Sequence, residues 1–256
     1  MYNSMRKIIY LIFALCFFAK GLYAQSAESL FKEGNDFYLK QNYNQAIEKY
    51  NSILASGVTS FEVYFNLGNA YYKTGNFTQA ILNYERAKKL KPDDSDVALN
   101  LALANQNTID KIEPAPKVFY EQWWDNYLTY STTTTRAVIF LIIFWLAIIS
   151  FGLYVYFKVY SVKKTFFFLS FLFAGIALFY FYVTLQQNRL NDNTNSAIIM
   201  SQSTYIKSSP DDKGTNLFQL HEGTKITVTD ELQDWKKIRI PNGNEGWVRT
   251  RDIEQI

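Results

Sequence analysis

Two stretches of 21 residues, Ala137–Phe157 (AVIFLIIFWLAIISFGLYVYF) and Thr165–Leu185 (TFFFLSFLFAGIALFYFYVTL), contain no Asp, Glu, Lys, Arg or His. At 1.5 Å per residue a helix of that length reaches roughly 30 Å, the thickness of a bilayer hydrocarbon core. A soluble helix this long keeps a polar stripe for water, and neither stretch has one. Each is therefore predicted to be a transmembrane helix. The connection Lys158–Lys164 (KVYSVKK) holds three lysines, whereas Arg136 and Arg189 stand alone on the outer flanks. Lysine-rich short loops stay in the cytoplasm, so the hairpin is expected to turn there and to send both of its arms outward.

The N-terminus gives the same orientation independently. Met1–Lys7 is cationic, Ile8–Ala19 is apolar, and Lys20–Ala24 ends on a small residue. That is the order of a secretory signal peptide, with cleavage expected after Ala24 and an uncleaved anchor as the alternative. Cys16, preceded by the bulky Leu15, does not suit lipidation and leaves with the signal. In a Gram-negative cell the expected location is the inner membrane, crossed twice, with both hydrophilic blocks in the periplasm.

Charge and composition exclude several function classes. The net +3 is the sum of +3 in residues 1–24, −2 in 25–114, +4 in 115–190 and −2 in 191–256. Neither exterior block has the surplus of cations that binding to nucleic acid requires. With one Cys and one His (His221), the chain cannot assemble a Cys/His zinc site. Nor does it carry a phosphate-cradling glycine loop or a nucleophile elbow. No catalytic residue, metal site or cofactor is expected, and the protein is read as non-enzymatic. His221 itself reads as a solvated turn residue. The aromatic linker 113–136, with Tyr120, Trp123, Trp124, Tyr127 and Tyr130, reads as an interfacial belt or as a helix lying on the headgroups.

Residues 25–112 repeat with a period of 34. Aligning 27–60 with 61–94 sets Gly34 over Gly68, Phe37 over Tyr71, Ala46 over Ala80 and Tyr50 over Tyr84. These are small residues where two helices touch and large rings where they pack. The pattern resembles the tetratricopeptide repeat. The second unit follows it throughout (Tyr64, Leu67, Gly68, Tyr71, Ala80, Tyr84, Ala87, Pro92), while the first departs at Glu33, Ile53 and Val58. A third unit begins at Asp96 but keeps only a capping helix. Two units and a cap are short for a solenoid, and the membrane-proximal segment is expected to supply the missing contact.

The resemblance implies a concave peptide groove lined by the first helix of each unit. Here it falls on Glu28, Phe31, Asn35 and Tyr38, then on Glu62, Phe65, Asn69 and Tyr72. Phe31, Asn35, Tyr38, Phe65, Asn69 and Tyr72 are the candidate peptide-binding residues, their amides offering both a donor and an acceptor to an extended backbone. Phe31 and Phe65 stand where carboxylate-clamp relatives carry cations, which favours an apolar or backbone-presented segment over a free C-terminus. The alternative is that this surface packs against the protein's own chain.

Residues 196–256 change to short alternating strands. Ile226 and Val228 share one face of Lys225–Thr229, and Ile238 and Ile240 share one face of Trp235–Ile240. Pro241-Asn242-Gly243 marks a hairpin before Glu245–Val248. The order of Tyr205–Pro210, Leu220–Thr224, Trp235 and Gly246-Trp247-Val248 resembles a bacterial SH3-like domain. Tyr205, Trp235 and Trp247 form its candidate ligand face, with burial in the barrel as the competing reading of the two tryptophans.

The expected fold is thus multidomain. All-α tetratricopeptide hairpins (25–112) and the interfacial linker lead to a transmembrane hairpin, helices 137–157 and 165–185 about the loop 158–164. A linker (186–195) then joins it to a small all-β SH3-like barrel (196–256). This order of parts closely resembles the E-component family of the Bacteroidetes aerotolerance (Bat) operon. That resemblance implies protein partners, namely von Willebrand A-domain membrane proteins and a MoxR-type ATPase system, and a role in envelope assembly or stress tolerance. The function expected is a scaffold presenting two binding modules. The alternative is a sensor of peptidoglycan or cell-wall peptides acting through the SH3-like domain.

Overall fold

A computed structural model describes residues 27–191 and 195–256, so the expected export signal lies outside the described residues. The chain forms two compact units. The first comprises the segment ending at Pro114 together with Asn195–Ile256, and the second is Ala115–Thr194.

In the first unit, five helices follow the 34-residue repeat: α1 (residues 27–39), α2 (Tyr43–Ala55), α3 (Phe61–Lys73), α4 (Phe77–Leu90) and α5 (Ser95–Asn105). Side-chain caps set several of the starts. Ser60 accepts from the Val63 amide, Asn76 from Gln79, and Asp94 from Asp96 and Val97, so amides with no intrahelical partner are satisfied. Within each pair a tyrosine ring lies on a glycine: a Cβ at Gly68 would meet the Tyr84 ring at 2.7 Å, and one at Gly34 the Tyr50 ring at 2.6 Å. Only glycine lets the two helices approach this closely.

The remainder of the unit is a seven-stranded antiparallel sheet: β1 (Ser196–Ile199), β2 (Ser203–Lys207), β3 (Asn216–His221), β4 (Lys225–Leu232), β5 (Trp235–Arg239), β6 (Glu245–Arg249) and β7 (Ile253–Gln255), in the spatial order β3-β2-β6-β5-β4-β1-β7. Its inner face buries Ile226, Val228, Ile238 and Ile240, the residues that the alternation selects, with Ile199, Ile206 and Val248. The Asn242-Gly243 turn is longer than a two-residue hairpin. Arg239 pairs with Glu245, and Gly243 adopts φ +94° inside the connecting loop. The tight connection is Gln233-Asp234, between the paired Leu232 and Trp235.

The contact missing from the short repeat array comes from this sheet. Every residue of β1 is buried. Ala197 and Ile199 enter the sheet's own core, while Ile198 joins Ile81, Leu82 and Val97 in the core of the second repeat. One face of α4 carries the polar contacts. Thr78 donates to Glu222 (3.1 Å), Glu85 accepts from Lys225 (2.7 Å), and Arg86 donates to Glu254 (2.8 Å). The β3–β4 turn approaches so closely that a Cβ on Gly223 (φ +84°) would lie 2.9 Å from the Thr108 methyl. The expectation that the membrane-proximal segment supplies the contact is thus corrected: a solenoid end needs an apolar surface laid against it, and β1 provides one.

In the second unit, α6 (Phe119–Thr129) precedes two long helices, α7 (Thr133–Tyr156) and α8 (Tyr160–Asn191), which pack as a hairpin. Both are long and apolar enough to cross a membrane, and only 11% and 17% of their most apolar windows are buried. A soluble core helix of this composition would be covered. Helix α7 starts four residues before its uncharged stretch and stops at Tyr156, one short of its end. By contrast, α8 runs past its stretch on both sides: the chain is helical again from Tyr160, leaving Lys163 and Lys164 within α8. Hydropathy marks what must avoid water, whereas backbone hydrogen bonding decides where a helix ends.

Candidate functional site

The first helices α1, α3 and α5 line up their amides in a repeated network. Asn35 Oδ1 accepts from the Tyr50 hydroxyl (2.7 Å) and from Asn66 Nδ2 (3.0 Å). One repeat on, Asn69 Oδ1 accepts from the Tyr84 hydroxyl (2.8 Å) and from Asn100 Nδ2 (2.9 Å). The tyrosines can reach these amides because their rings lie on Gly34 and Gly68, each next in sequence to the asparagine served. Burial pushes the Tyr50 phenol up to about 12 and raises Tyr84 further, so both hydroxyls stay protonated and donate.

This arrangement changes what the groove can offer. Each Asn Oδ1 at positions 35 and 69 already has two donors, so these residues present Nδ2, a donor only. Asn66 and Asn100 each spend one N–H of the amide in the network and keep Oδ1 as an acceptor beside the second N–H. The polar line along the repeats therefore offers donors at Asn35 and Asn69, and an acceptor with a second donor at Asn66 and Asn100. Asn66, Asn100 and the two tyrosine hydroxyls escaped the sequence reading, although Asn66 and Asn100 also recur 34 apart.

Two hollows open on this line. One, of about 290 Å³, is lined by Asn35, Tyr38, Leu39, Tyr50 and Asn66. Its neighbour, of about 310 Å³, is lined by Tyr38, Asn69, Tyr72, Lys73, Tyr84, Asn100 and Leu103. Tyr38 belongs to both. Among the six candidates, then, Asn35, Tyr38, Asn69 and Tyr72 are brought together. Phe31 and Phe65 line neither hollow and pack instead against the tyrosine rings, Phe31–Tyr50 at 6.0 Å and Phe65–Tyr84 at 6.1 Å.

On the sheet, the register places Lys207 beside Trp247, Trp247 beside Lys237, and Trp235 beside Arg249. Tyr205 is 53% exposed and Trp247 half-buried, but Trp235 is 7% exposed. The Arg249 guanidinium lies 4.7 Å above its ring and also pairs with Asp212. Trp235 is thus buried and covered by a cation, as the competing reading has it, leaving Tyr205 and Trp247 as the aromatic surface of this face.

His221 is a contact residue between the repeats and the sheet, which corrects its reading as a solvated turn residue. Its amide donates to Asp110 Oδ2 (2.7 Å), its Nδ1 meets Asp110 Oδ1 (2.8 Å), and the Thr224 hydroxyl donates to the same carboxylate (2.7 Å). Burial alone would raise the Asp110 carboxyl. The His221 amide and ring and the Thr224 hydroxyl outweigh it and hold the group below its ordinary range. Among the described residues no group of three or more His, Cys, Asp or Glu side chains could hold a metal ion.

Family models locate the same modules. A tetratricopeptide repeat model matches residues 61–94, a TPR repeat model residues 34–75, and a bacterial SH3 domain model residues 203–254. The last begins beyond β1, the strand that joins sheet to repeats. No curated protein matches the chain. Among solved structures, YrrB, described as a TPR protein with an unusual peptide-binding site, is 16% identical with a TM-score of 0.32, covering 73% of this chain and 82% of that one.

Proposed function

We propose that the chain is a non-enzymatic scaffold of the inner membrane. It crosses the membrane twice through α7 and α8 and presents the fused repeat and SH3-like unit in the periplasm. The line of oriented asparagine amides along the repeats carries this reading, because its donors and acceptors suit the carbonyls and amides of an extended peptide and need no charge on the ligand. The apolar surface of α7 and α8 supports the membrane anchor, and the lysines 158, 163 and 164 support a cytoplasmic turn. Through its resemblance to the Bat E components, the scaffold's partners are taken to be von Willebrand A-domain membrane proteins and a MoxR-type ATPase system, in an envelope complex that protects against oxidative stress. Peptide capture is preferred to peptidoglycan sensing because the repeats offer two equivalent hollows, whereas Arg249 covers one tryptophan of the sheet's aromatic face.

Crosslinking in native membranes tests the proposal. The variant Asn69→Ala with Tyr72→Ala removes groove groups while leaving Phe65 and Tyr84 to hold the helices. Loss of the chain's crosslinked partners is expected. An unchanged set of partners from a variant that melts like the parent would refute groove binding.

A further inference from the structure

The second unit contains a third element built for lipid. The apolar side chains of α6 (Phe119, Tyr120, Trp123, Trp124, Tyr127, Leu128) occupy one half of its circumference, and Glu121, Gln122, Asp125 and Asn126 the other. Only part of the apolar half is covered. Leu128 is 2% exposed, the Trp124 ring meets Tyr182 of α8 at 6.5 Å, and Tyr127 meets Phe179 at 6.3 Å. Phe119, Tyr120 and Trp123 remain 84%, 60% and 65% exposed, continuous with the open apolar surface of the hairpin.

The two ends of α6 are finished differently. At the C-terminus, Arg136 of α7 is 3% exposed and donates to the carbonyls of Tyr127 and Leu128 and to Gln187 Oε1 of α8 (2.6 Å). Gln187 in turn donates to the Ser131 carbonyl (2.9 Å). Helix-end carbonyls normally turn to water, and where water is scarce they must find partners in the protein. Here a buried guanidinium and an amide supply them. At the N-terminus, Val118 makes no side-chain cap, and its carbonyl accepts from the Glu121 and Gln122 amides.

We infer that α6 lies in the headgroup layer, with Phe119, Tyr120 and Trp123 inserted at the boundary with the acyl chains and its C-terminus fixed to the spanning pair by Arg136 and Gln187. The occupant of the open face is lipid, because that face continues the lipid-facing surface of α7 and α8 and is made of side chains with large apolar bodies, which favour the interface. The charges of α6 are acidic, Glu121 and Asp125, so insertion depends on apolar contact and requires no anionic lipid. The inference rests on reading α7 and α8 as membrane spans, and the test separates the two.

Spin labels are placed singly at Trp123→Cys, Gln122→Cys and Leu141→Cys in the full chain, with Cys16→Ser as background, in phosphatidylcholine vesicles. Collisions with oxygen, which partitions into lipid, are compared with collisions with a water-soluble nickel chelate. The label at 141 is expected deep in lipid, that at 123 oxygen-accessible but shallow, and that at 122 chelate-accessible. If 141 is deep while 123 is as open to the chelate as 122, α6 does not insert. If 123 is closed to both reagents, protein covers the face, and the lipid assignment fails. A label at 141 open to the chelate would overturn the spanning reading itself. As a second measurement without labels, brominated phosphatidylcholine should quench the parent more than Trp123→Phe, and equal quenching would count against insertion.

Discussion

Asp110 is the sharpest place to test whether repeats and sheet fold as one body. Its carboxylate accepts from the His221 amide and the Thr224 hydroxyl and meets the His221 ring, and its side chain retains 13% exposure. A hydrogen bond to a charged group contributes about 1.5–3 kcal/mol net, and three bonds on one carboxylate are not additive. Water reaching the vacated site replaces part of what Asp110→Ala removes. The expected cost is about 2–4 kcal/mol, roughly a 5–15 °C fall in melting temperature for a domain of this size. Hydrogen–deuterium exchange on the detergent-solubilised full chain reads where the cost falls. Exchange should rise both in the β3–β4 turn and in α4, because the turn is one of the points that clamp the sheet to that helix. The pH dependence follows from the direction of the shift. A carboxyl held below its ordinary value stabilises fully above that value, and the contribution disappears as pH falls through the lowered one. The part of the difference between parent and Asp110→Ala that comes from the titration of Asp110 itself is therefore fully present above the ordinary carboxyl value and is lost only in acid. If melting shifts by less than about 1 °C, or exchange rises in the turn and not in α4, the two modules are independent and the reasoning fails.

Gly68→Ala would press a methyl into the Tyr84 ring at 2.7 Å and should destabilise by about 1–3 kcal/mol, measured by thermal unfolding; an unchanged melt would mean that the ring has room to move. Tyr84→Phe keeps the ring on Gly68 but removes a donor from Asn69 Oδ1, at a cost of about 1 kcal/mol; nuclear magnetic resonance of the asparagine side chains should show the Asn69 amide shifted, and an unshifted signal would show that the network does not orient it. Arg136→Gln should free the last carbonyls of α6, seen as faster amide exchange over 119–129 with α7 and α8 still protected; unaltered exchange there would show that Arg136 does not fix the helix.

The parts legible in the sequence are those with a local period. The uncharged stretches, the 34-residue spacing of Gly34, Ala46 and Tyr50, and the alternation at Ile226/Val228 and Ile238/Ile240 each follow from one element's own geometry. Their edges are less legible, since α8 takes in Lys163 and Lys164, which hydropathy counts as loop. The orientation of the groove amides is decided at a distance: Tyr50 and Tyr84 act on residues 15 positions earlier, through glycines that alone permit the approach.

The union of repeats and sheet is the least legible feature, and for a physical reason. The outward residues of α4, including Thr78, Glu85, Arg86 and Lys89, have the composition of a solvated face. Their partners, from Glu222 to the Ile256 carbonyl, lie more than a hundred residues on, beyond the whole second unit. A polar face with distant partners leaves no periodic trace. The trace it does leave is in β1, where Ser-Ala-Ile-Ile breaks the alternation of a half-exposed strand because both of its faces are covered. A continuous apolar run in an otherwise alternating module thus signals a neighbour on the second face, and here that neighbour is α4. Because α4 also packs on α3, which bears Asn66, Asn69 and Tyr72, the sheet and the hollows of the repeats rest on one shared helix.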